Sequence, residues 1–134
     1  MLPWKRGRLT CLFVDDDPGV RDLVALNLKA EGIQVHLSDT GFGVEDKVRK
    51  IRPDLILLDV MMPGRDGHSV LKSLKKSSET SDIPVVLLTA RATDAEIWEG
   101  WQNGADYYLT KPFNVDHLVD YLRMVVQESK TAKA

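Results

Sequence analysis

The sequence predicts an α/β fold: an open, doubly wound parallel sheet of five strands with five helices on its two faces. One observation behind this prediction is that short apolar runs alternate with amphipathic helical patterns along the chain. Successive βα units favour parallel strands joined by right-handed crossovers. The second observation is the length of the chain, because 134 residues suit one domain, whereas a closed eight-unit βα barrel needs about 250 residues.

Each predicted strand is a short apolar run that stops at turn-forming or acidic residues. The first, third and fourth runs are apolar at consecutive positions, as expected for strands buried on both faces of a parallel sheet. The second run alternates apolar and polar residues, which indicates a half-buried strand. In chain order, the strands are predicted at residues 11–14, 33–37, 55–58, 85–88 and 107–109.

The helices are predicted from apolar residues three and four positions apart, together with residues typical of helix ends. The end signals are Pro18, Gly32, Pro53, Thr93, Glu96, Gly104 and Asn114. The inward residues predicted for the first helix are Val20, Leu23, Val24 and Leu28. On the fourth helix, Trp98 and Trp101 cannot both point inward beside Ile97, so one is expected in the core and the other at the surface.

Charge balance and cysteine count exclude several classes of protein. With 18 basic and 20 acidic side chains the net charge is −2, which argues against direct nucleic-acid binding by this domain. The single cysteine, Cys11, allows neither an internal disulfide nor a cysteine-based zinc site and suits a cytoplasmic location. No apolar run approaches the ~20 residues that span a bilayer, so no membrane contact is expected.

The predicted organisation is one domain at residues 9–128, preceded by a short basic leader at 1–8. The leader lacks the apolar segment of a secretory signal. Residues 129–134 are interpreted as a C-terminal tail or the start of a linker. Both a stand-alone domain and a domain from a longer protein are compatible with this organisation.

Polar side chains suited to phosphate or metal chemistry follow four of the five predicted strands. Acids 15–17 follow the first strand, Asp59 follows the third, Thr89 the fourth and Lys111 the fifth. Taken alone, each of these is more often a turn former, a helix cap or a surface residue. Parallel strands, however, bring their carboxyl ends to one rim, where ligands bind.

Several carboxylates at one rim repel one another unless a cation neutralises them. Mg²⁺ suits such a rim, because it binds carboxylates, a backbone carbonyl and water. A metal beside a lysine and a hydroxyl is an arrangement for phosphoryl transfer. One carboxylate can then act as the nucleophile and form an aspartyl phosphate.

Five segments resemble the receiver domain of two-component response regulators. They read FVDDDP, PDLILLD, MPGRDG, LTA and GADYYLTKPF, at residues 13–18, 53–59, 62–67, 88–90 and 104–113. The resemblance covers about residues 9–128 and implies a flavodoxin-like sheet with strand order 2-1-3-4-5.

By this resemblance, Asp59 is the phosphoacceptor, which receives a phosphoryl group from the phosphohistidine of a sensor histidine kinase or a phosphotransfer protein. Asp16 and Asp59 would bind Mg²⁺ directly, and Asp15 would bind it through a water molecule. The backbone carbonyl of Met61 would complete the protein ligands. Mn²⁺ can substitute for Mg²⁺ at such a site.

The resemblance also implies a switch. Thr89 would move to hydrogen-bond the phosphoryl group, Lys111 would pair with it, and Tyr108 would turn inward. The Lys111–Pro112 peptide bond is expected to be cis. The face made by the fourth helix, fifth strand and fifth helix would control a downstream protein or an output domain. The domain would be a monomer or would dimerise on phosphorylation.

A regulatory domain of this kind assists only its own phosphorylation and dephosphorylation and is not an enzyme with an external substrate. A phosphatase resembling the haloacid dehalogenases would need a second aspartate where this chain has Met61. A receiver-like domain that works without phosphate would be favoured by loss of an acid, Thr89 or Lys111, and all are present. Flavin binding would require a Ser/Thr/Gly-rich loop in place of acids 15–17.

Overall fold

The computed structural model describes residues 8–90, 94–102, 104–105 and 107–133. The strands are β1 (Thr10–Val14), β2 (Gln34–Ser38), β3 (Leu55–Asp59), β4 (Val85–Thr89) and β5 (Tyr107–Thr110). The helices are α1 (Pro18–Ala30), α2 (Val44–Ile51), α3 (Gly67–Lys76), α4 (Asp94–Gln102) and α5 (Val115–Lys133). The strands pair in parallel in the order β2-β1-β3-β4-β5, so the predicted parallel sheet and its strand order are confirmed.

Two apolar clusters cover the two faces of the sheet. Alternate residues of β1 enter opposite clusters, Leu12 and Val14 on one face, Cys11 and Phe13 on the other. The first cluster includes residues of α2 and α3, and the second includes residues of α1 and α5. Because both faces are covered, β3 and β4 are buried along their whole length, which explains why their sequences are continuous apolar runs.

Two predictions about helix faces are wrong. Leu23 of α1 is 48% exposed, because it lies about 100° around the helix from Val24, which is buried. Trp98 and Trp101 of α4 are 64% and 48% exposed, so neither belongs to the core. Thr93, one of the predicted helix-end signals, lies outside the described residues.

The last helix continues beyond Glu128, where the domain was predicted to end. It runs to Lys133, because residues 129–133 contain no glycine or proline to stop it. Most of the predicted tail is therefore helical. Residues 1–7 of the predicted leader lie outside the described part of the chain. Among the described helices, none combines the length and the apolar character needed to cross a membrane.

Candidate functional site

Three aspartates meet where β1 and β3 end. Asp15 directly follows β1 and Asp59 is the last residue of β3. Val14 pairs with Leu58, so the two acids that follow these residues emerge side by side. Asp15, Asp16 and Asp59 each offer one carboxylate oxygen, and these oxygens lie within 4.8 Å of one another. Asp15 and Asp59 are buried, whereas Asp16 is exposed, so the cluster has an open side.

This cluster fits a hard divalent cation. Its side-chain donors are carboxylate oxygens, which Mg²⁺ prefers over nitrogen or sulfur. Within the described ranges, it is the one group of three or more acids, histidines or cysteines placed to hold a metal ion. The residues present are therefore suited to the Mg²⁺ that the sequence leads us to expect.

Lys111 provides a positive charge next to the aspartates. Its Nζ lies 2.8 Å from Asp15 Oδ2 and 3.4 Å from Asp59 Oδ1, so one ammonium group faces two carboxylates. The loop after β5 is tied to β4, because the Lys111 N–H donates to the Thr89 carbonyl at 2.8 Å. The Lys111–Pro112 peptide bond is cis, as predicted.

One lysine does not offset the negative charge of the rim. Burial and the neighbouring charge of Asp15 raise the pKa of Asp59 to about 6, although Lys111 and a backbone hydrogen bond at Met61 act in the opposite direction. Burial alone would lower the pKa of Lys111, but its hydrogen bond to Asp15 and the charges of both aspartates raise that pKa on balance. A cation at the open side would favour the ionised form of Asp59.

The shifted pKa of Asp59 predicts that Asp59→Asn stabilises the metal-free protein at neutral pH. A carboxyl with a pKa of about 6 in the folded state and about 4 in the unfolded state binds its proton more tightly when folded. Its contribution to stability therefore falls as the pH rises from about 4 to about 6, and above that range the cost is about 3 kcal/mol.

Urea denaturation in the presence of a chelator measures this effect. The free energy of unfolding of Asp59→Asn should exceed that of wild type by about 3 kcal/mol at about pH 7.5 and by much less at about pH 4. An equal difference at both pH values would contradict the raised pKa of Asp59.

Thr89 and Tyr108 lie on the neighbouring strands β4 and β5. Thr89 is buried and ends β4, next to the strand that ends in Asp59, so it lies at the same edge of the sheet as Asp15, Asp16 and Asp59, which form the acidic rim. Tyr108 pairs with Leu87, two residues before Thr89. The half-buried Tyr108 ring makes an edge-to-face contact with Trp101 of α4, with centroids 5.9 Å apart and an interplanar angle of 66°.

Asp17, the last of the three consecutive acids, has a structural role that was not predicted for it. Asp17 caps α1, since its Oδ1 accepts hydrogen bonds from the N–H groups of Gly19 at 2.9 Å and Val20 at 3.3 Å. The signal was present, because an aspartate before a proline is typical of a helix start. Arg21 adds a constraint that no motif indicated: its Nη1 donates to the Asp15 carbonyl at 2.7 Å.

Gly67 is a second residue whose importance the sequence analysis did not recognise. It is the first residue of α3, and its N–H donates to the Val60 carbonyl at 2.9 Å. A Cβ at this position would collide with the carbonyl oxygen of Asp59 and lie 2.9 Å from Val60 Cα. Helix α3 therefore rests directly on the main chain of Asp59. Met61 lies in the connecting loop, with its side chain exposed.

Residues 11–123 match the family model of the response regulator receiver domain. The DNA-binding dual master transcriptional regulator RpaA of Synechocystis sp. is 38% identical over 118 residues, which are 88% of this chain and 49% of RpaA. The phosphate regulon transcriptional regulatory protein PhoB of Escherichia coli is 39% identical over 116 residues, 87% of this chain and 51% of PhoB. The chain thus spans about half the length of these relatives.

Solved structures show the same fold. The chemotaxis protein CheY4 of Vibrio cholerae superposes with a TM-score of 0.83 at 31% identity, covering 88% of this chain and 98% of CheY4. NtrX of Brucella abortus has a TM-score of 0.84 at 26% identity, covering 94% of this chain and 29% of NtrX. With its flavodoxin-like fold and a family match over most of its length, the chain belongs to the response regulator receiver domains.

Proposed function

We propose that this domain accepts a phosphoryl group on Asp59 from the phosphohistidine of a sensor histidine kinase or of a phosphotransfer protein. The observation that carries the proposal is the buried Asp59 carboxylate, which has two further aspartates around it and Lys111 Nζ at 3.4 Å. RpaA and PhoB, two relatives of the chain, are transcriptional regulators by name, which supports a role in signalling.

Asp59 acts as the nucleophile in this proposal. A carboxylate oxygen attacks phosphorus, the O–P bond forms as the P–N bond to the donor histidine breaks, and the imidazole leaves with the bonding electrons. Asp16 and Asp59 directly, Asp15 through water, and the Met61 carbonyl would hold Mg²⁺ (or Mn²⁺). When bound, the metal offsets the charge of the carboxylates and of the phosphoryl oxygens.

Lys111 and Thr89 then recognise the phosphoryl group. Lys111 already faces Asp59, so its ammonium group can pair with a phosphoryl oxygen without crossing the site. The hydroxyl of Thr89, at the end of the adjacent strand, donates a hydrogen bond to another oxygen. Movement of Thr89 toward the phosphoryl group lets Tyr108 turn inward, which changes the face formed by α4, β5 and α5.

The changed face formed by α4, β5 and α5 would control a downstream protein or an output domain. The domain itself, at about residues 9–128 with α5 extending further, would contact neither nucleic acid nor membrane and would work in the cytoplasm. It would assist only its own phosphorylation and dephosphorylation. In solution it would be a monomer or would dimerise when phosphorylated.

Intact-mass spectrometry after incubation with acetyl phosphate and Mg²⁺ tests the phosphoacceptor. Wild type should gain one phosphoryl group, and Asp59→Asn should gain none because its amide cannot replace the nucleophilic carboxylate. Chelation of Mg²⁺ should prevent labelling of wild type. The matched control is Asp66→Asn, since Asp66 is an exposed cap of α3 and asparagine caps helices equally well. Equal labelling of wild type and Asp59→Asn would contradict the assignment.

A further inference from the structure

The loop between β3 and α3, residues 60–66, is tied to a distant part of the chain by Arg65. Its Nη1 donates to the Gly41 carbonyl at 3.0 Å and to Glu45 Oε1 at 2.7 Å. Its Nη2 makes a second, close hydrogen bond to Glu45 Oε2. Gly41 precedes α2 and Glu45 lies in its first turn, so one guanidinium group connects the loop after Asp59 to the start of α2.

This ion pair differs from an ordinary surface pair. The Arg65 and Glu45 side chains are only 21% and 17% exposed, and two parallel hydrogen bonds give the contact a fixed geometry. The hydrogen bonds from Arg65 lower the pKa of Glu45 to about 2. A flexible, fully solvated pair would constrain the loop little, whereas this one holds a planar group between two partners.

Close packing accompanies the ion pair. A Cβ on Gly41 would lie 2.6 Å from the Arg65 carbonyl oxygen, and a Cβ on Gly64 would lie 2.8 Å from Cε2 of Phe42. The two loops therefore touch without room for a side chain at either glycine. Two residues after Arg65, the β3–α3 loop ends at Gly67, which packs on the main chain of Asp59. At the start of the loop, the Val60 N–H donates to the Leu88 carbonyl of β4 at 2.9 Å, and the Val60 carbonyl accepts from the Gly67 N–H at 2.9 Å. The loop that contains Met61 is thus held at its start by β4 and at its end by Gly67 and Arg65.

We propose that Arg65 and Glu45 are positioning residues for metal binding: they hold the β3–α3 loop so that the Met61 backbone is presented to the acidic rim. This inference rests on the proposed function, in which the Met61 carbonyl is a ligand of Mg²⁺. A loop that is already ordered loses less conformational entropy when the metal binds, so the pair raises metal affinity without touching the ion.

The direction in which Arg65→Ala changes the Mg²⁺ affinity distinguishes a positioning role from a purely electrostatic effect. Arg65→Ala removes a positive charge, which by charge alone would tighten Mg²⁺ binding. Loss of positioning has the opposite effect, and we expect the dissociation constant for Mg²⁺ to rise about tenfold. Glu45→Ala should weaken binding similarly, and the double variant should be no weaker than either single variant because both changes release the same loop.

Isothermal titration of the full chain with MgCl₂ measures these affinities, with folding checked by far-UV circular dichroism. Arg49→Ala is the matched control: it removes the same charge from exposed ion pairs with Asp46 and Glu79 and should leave the Mg²⁺ affinity unchanged. Arg65→Lys keeps the charge but loses the bidentate hydrogen bonds to the Glu45 carboxylate, so this variant should also bind Mg²⁺ more weakly.

Each result decides between the two proposals. If wild type binds no Mg²⁺, the proposed function fails and this inference fails with it. If wild type binds Mg²⁺ but Arg65→Ala and Arg65→Lys bind it as tightly or more tightly, the positioning role is overturned and the proposed function stands. The same conclusion follows if these variants unfold more easily while their Mg²⁺ affinity stays at the wild-type value.

Discussion

Replacing Gly67 by alanine should lower the free energy of unfolding by about 3 kcal/mol, the upper part of the range for overpacking a close contact. A methyl group at this position would collide with the Asp59 carbonyl oxygen and approach Val60 Cα to 2.9 Å. These are backbone atoms of a buried strand end, so they cannot rotate away as the tip of a side chain can. Either α3 lifts off the sheet or the end of β3 shifts.

Urea denaturation of the metal-free protein measures the loss. Gly19→Ala is the control, since Gly19 also lies in the first turn of a helix and a Cβ there would meet only Asp17 Oδ1, at 3.3 Å. Its stability should stay within about 1 kcal/mol of wild type, because the gain in helix propensity offsets a small side-chain adjustment. Wild-type stability of Gly67→Ala would mean that α3 does not rest on Asp59.

Replacing Lys111 by methionine should have two effects of opposite sign. Without metal the protein loses the ammonium group shared by Asp15 and Asp59. Because Asp15 is fully buried, breaking this pair should lower the free energy of unfolding by about 3 kcal/mol at neutral pH. Mg²⁺ at the acidic rim would be repelled by the nearby ammonium group, so the variant should bind Mg²⁺ more tightly than wild type.

Thermal unfolding with and without MgCl₂ measures both effects. The variant should melt below wild type in chelator and should gain more from Mg²⁺, since a ligand that binds the folded state adds stability that increases with the logarithm of its affinity. Lys72→Met, on the exposed side of α3, removes the same charge and should change neither quantity. Equal melting temperatures of Lys111→Met and wild type in chelator would contradict the shared ion pair.

The sheet could be predicted because its signals are local. A strand covered by helices on both faces must be apolar at consecutive positions, and Leu55–Asp59 and Val85–Thr89 are of this kind. The rim could also be predicted, since parallel strands end at one edge of a sheet. That reasoning placed Asp15, Asp59 and Lys111 together, as the structure does.

Other features depend on which surfaces neighbouring elements cover, and local patterns do not contain that information. Leu23 fits the apolar spacing of α1 but lies at the edge of the buried stripe. Trp98 and Trp101 look like core residues and are exposed. The Arg65–Glu45 contact joins residues 20 positions apart, a pairing that only the packed loops reveal. The chemical roles of the rim residues come from family resemblance and stay predictions.

The edge-to-face contact of Trp101 with Tyr108 gives the domain an intrinsic optical probe. Indole emission depends on adjacent rings and on water, and Trp101 has both, being half exposed to solvent. Rotation of Tyr108 would remove a neighbour of this fluorophore and change its emission without any attached dye. Trp98, one turn away and more exposed, would instead report a partner that covers α4. A single helix thus carries one reporter for the proposed switch and another for the surface that a partner would contact.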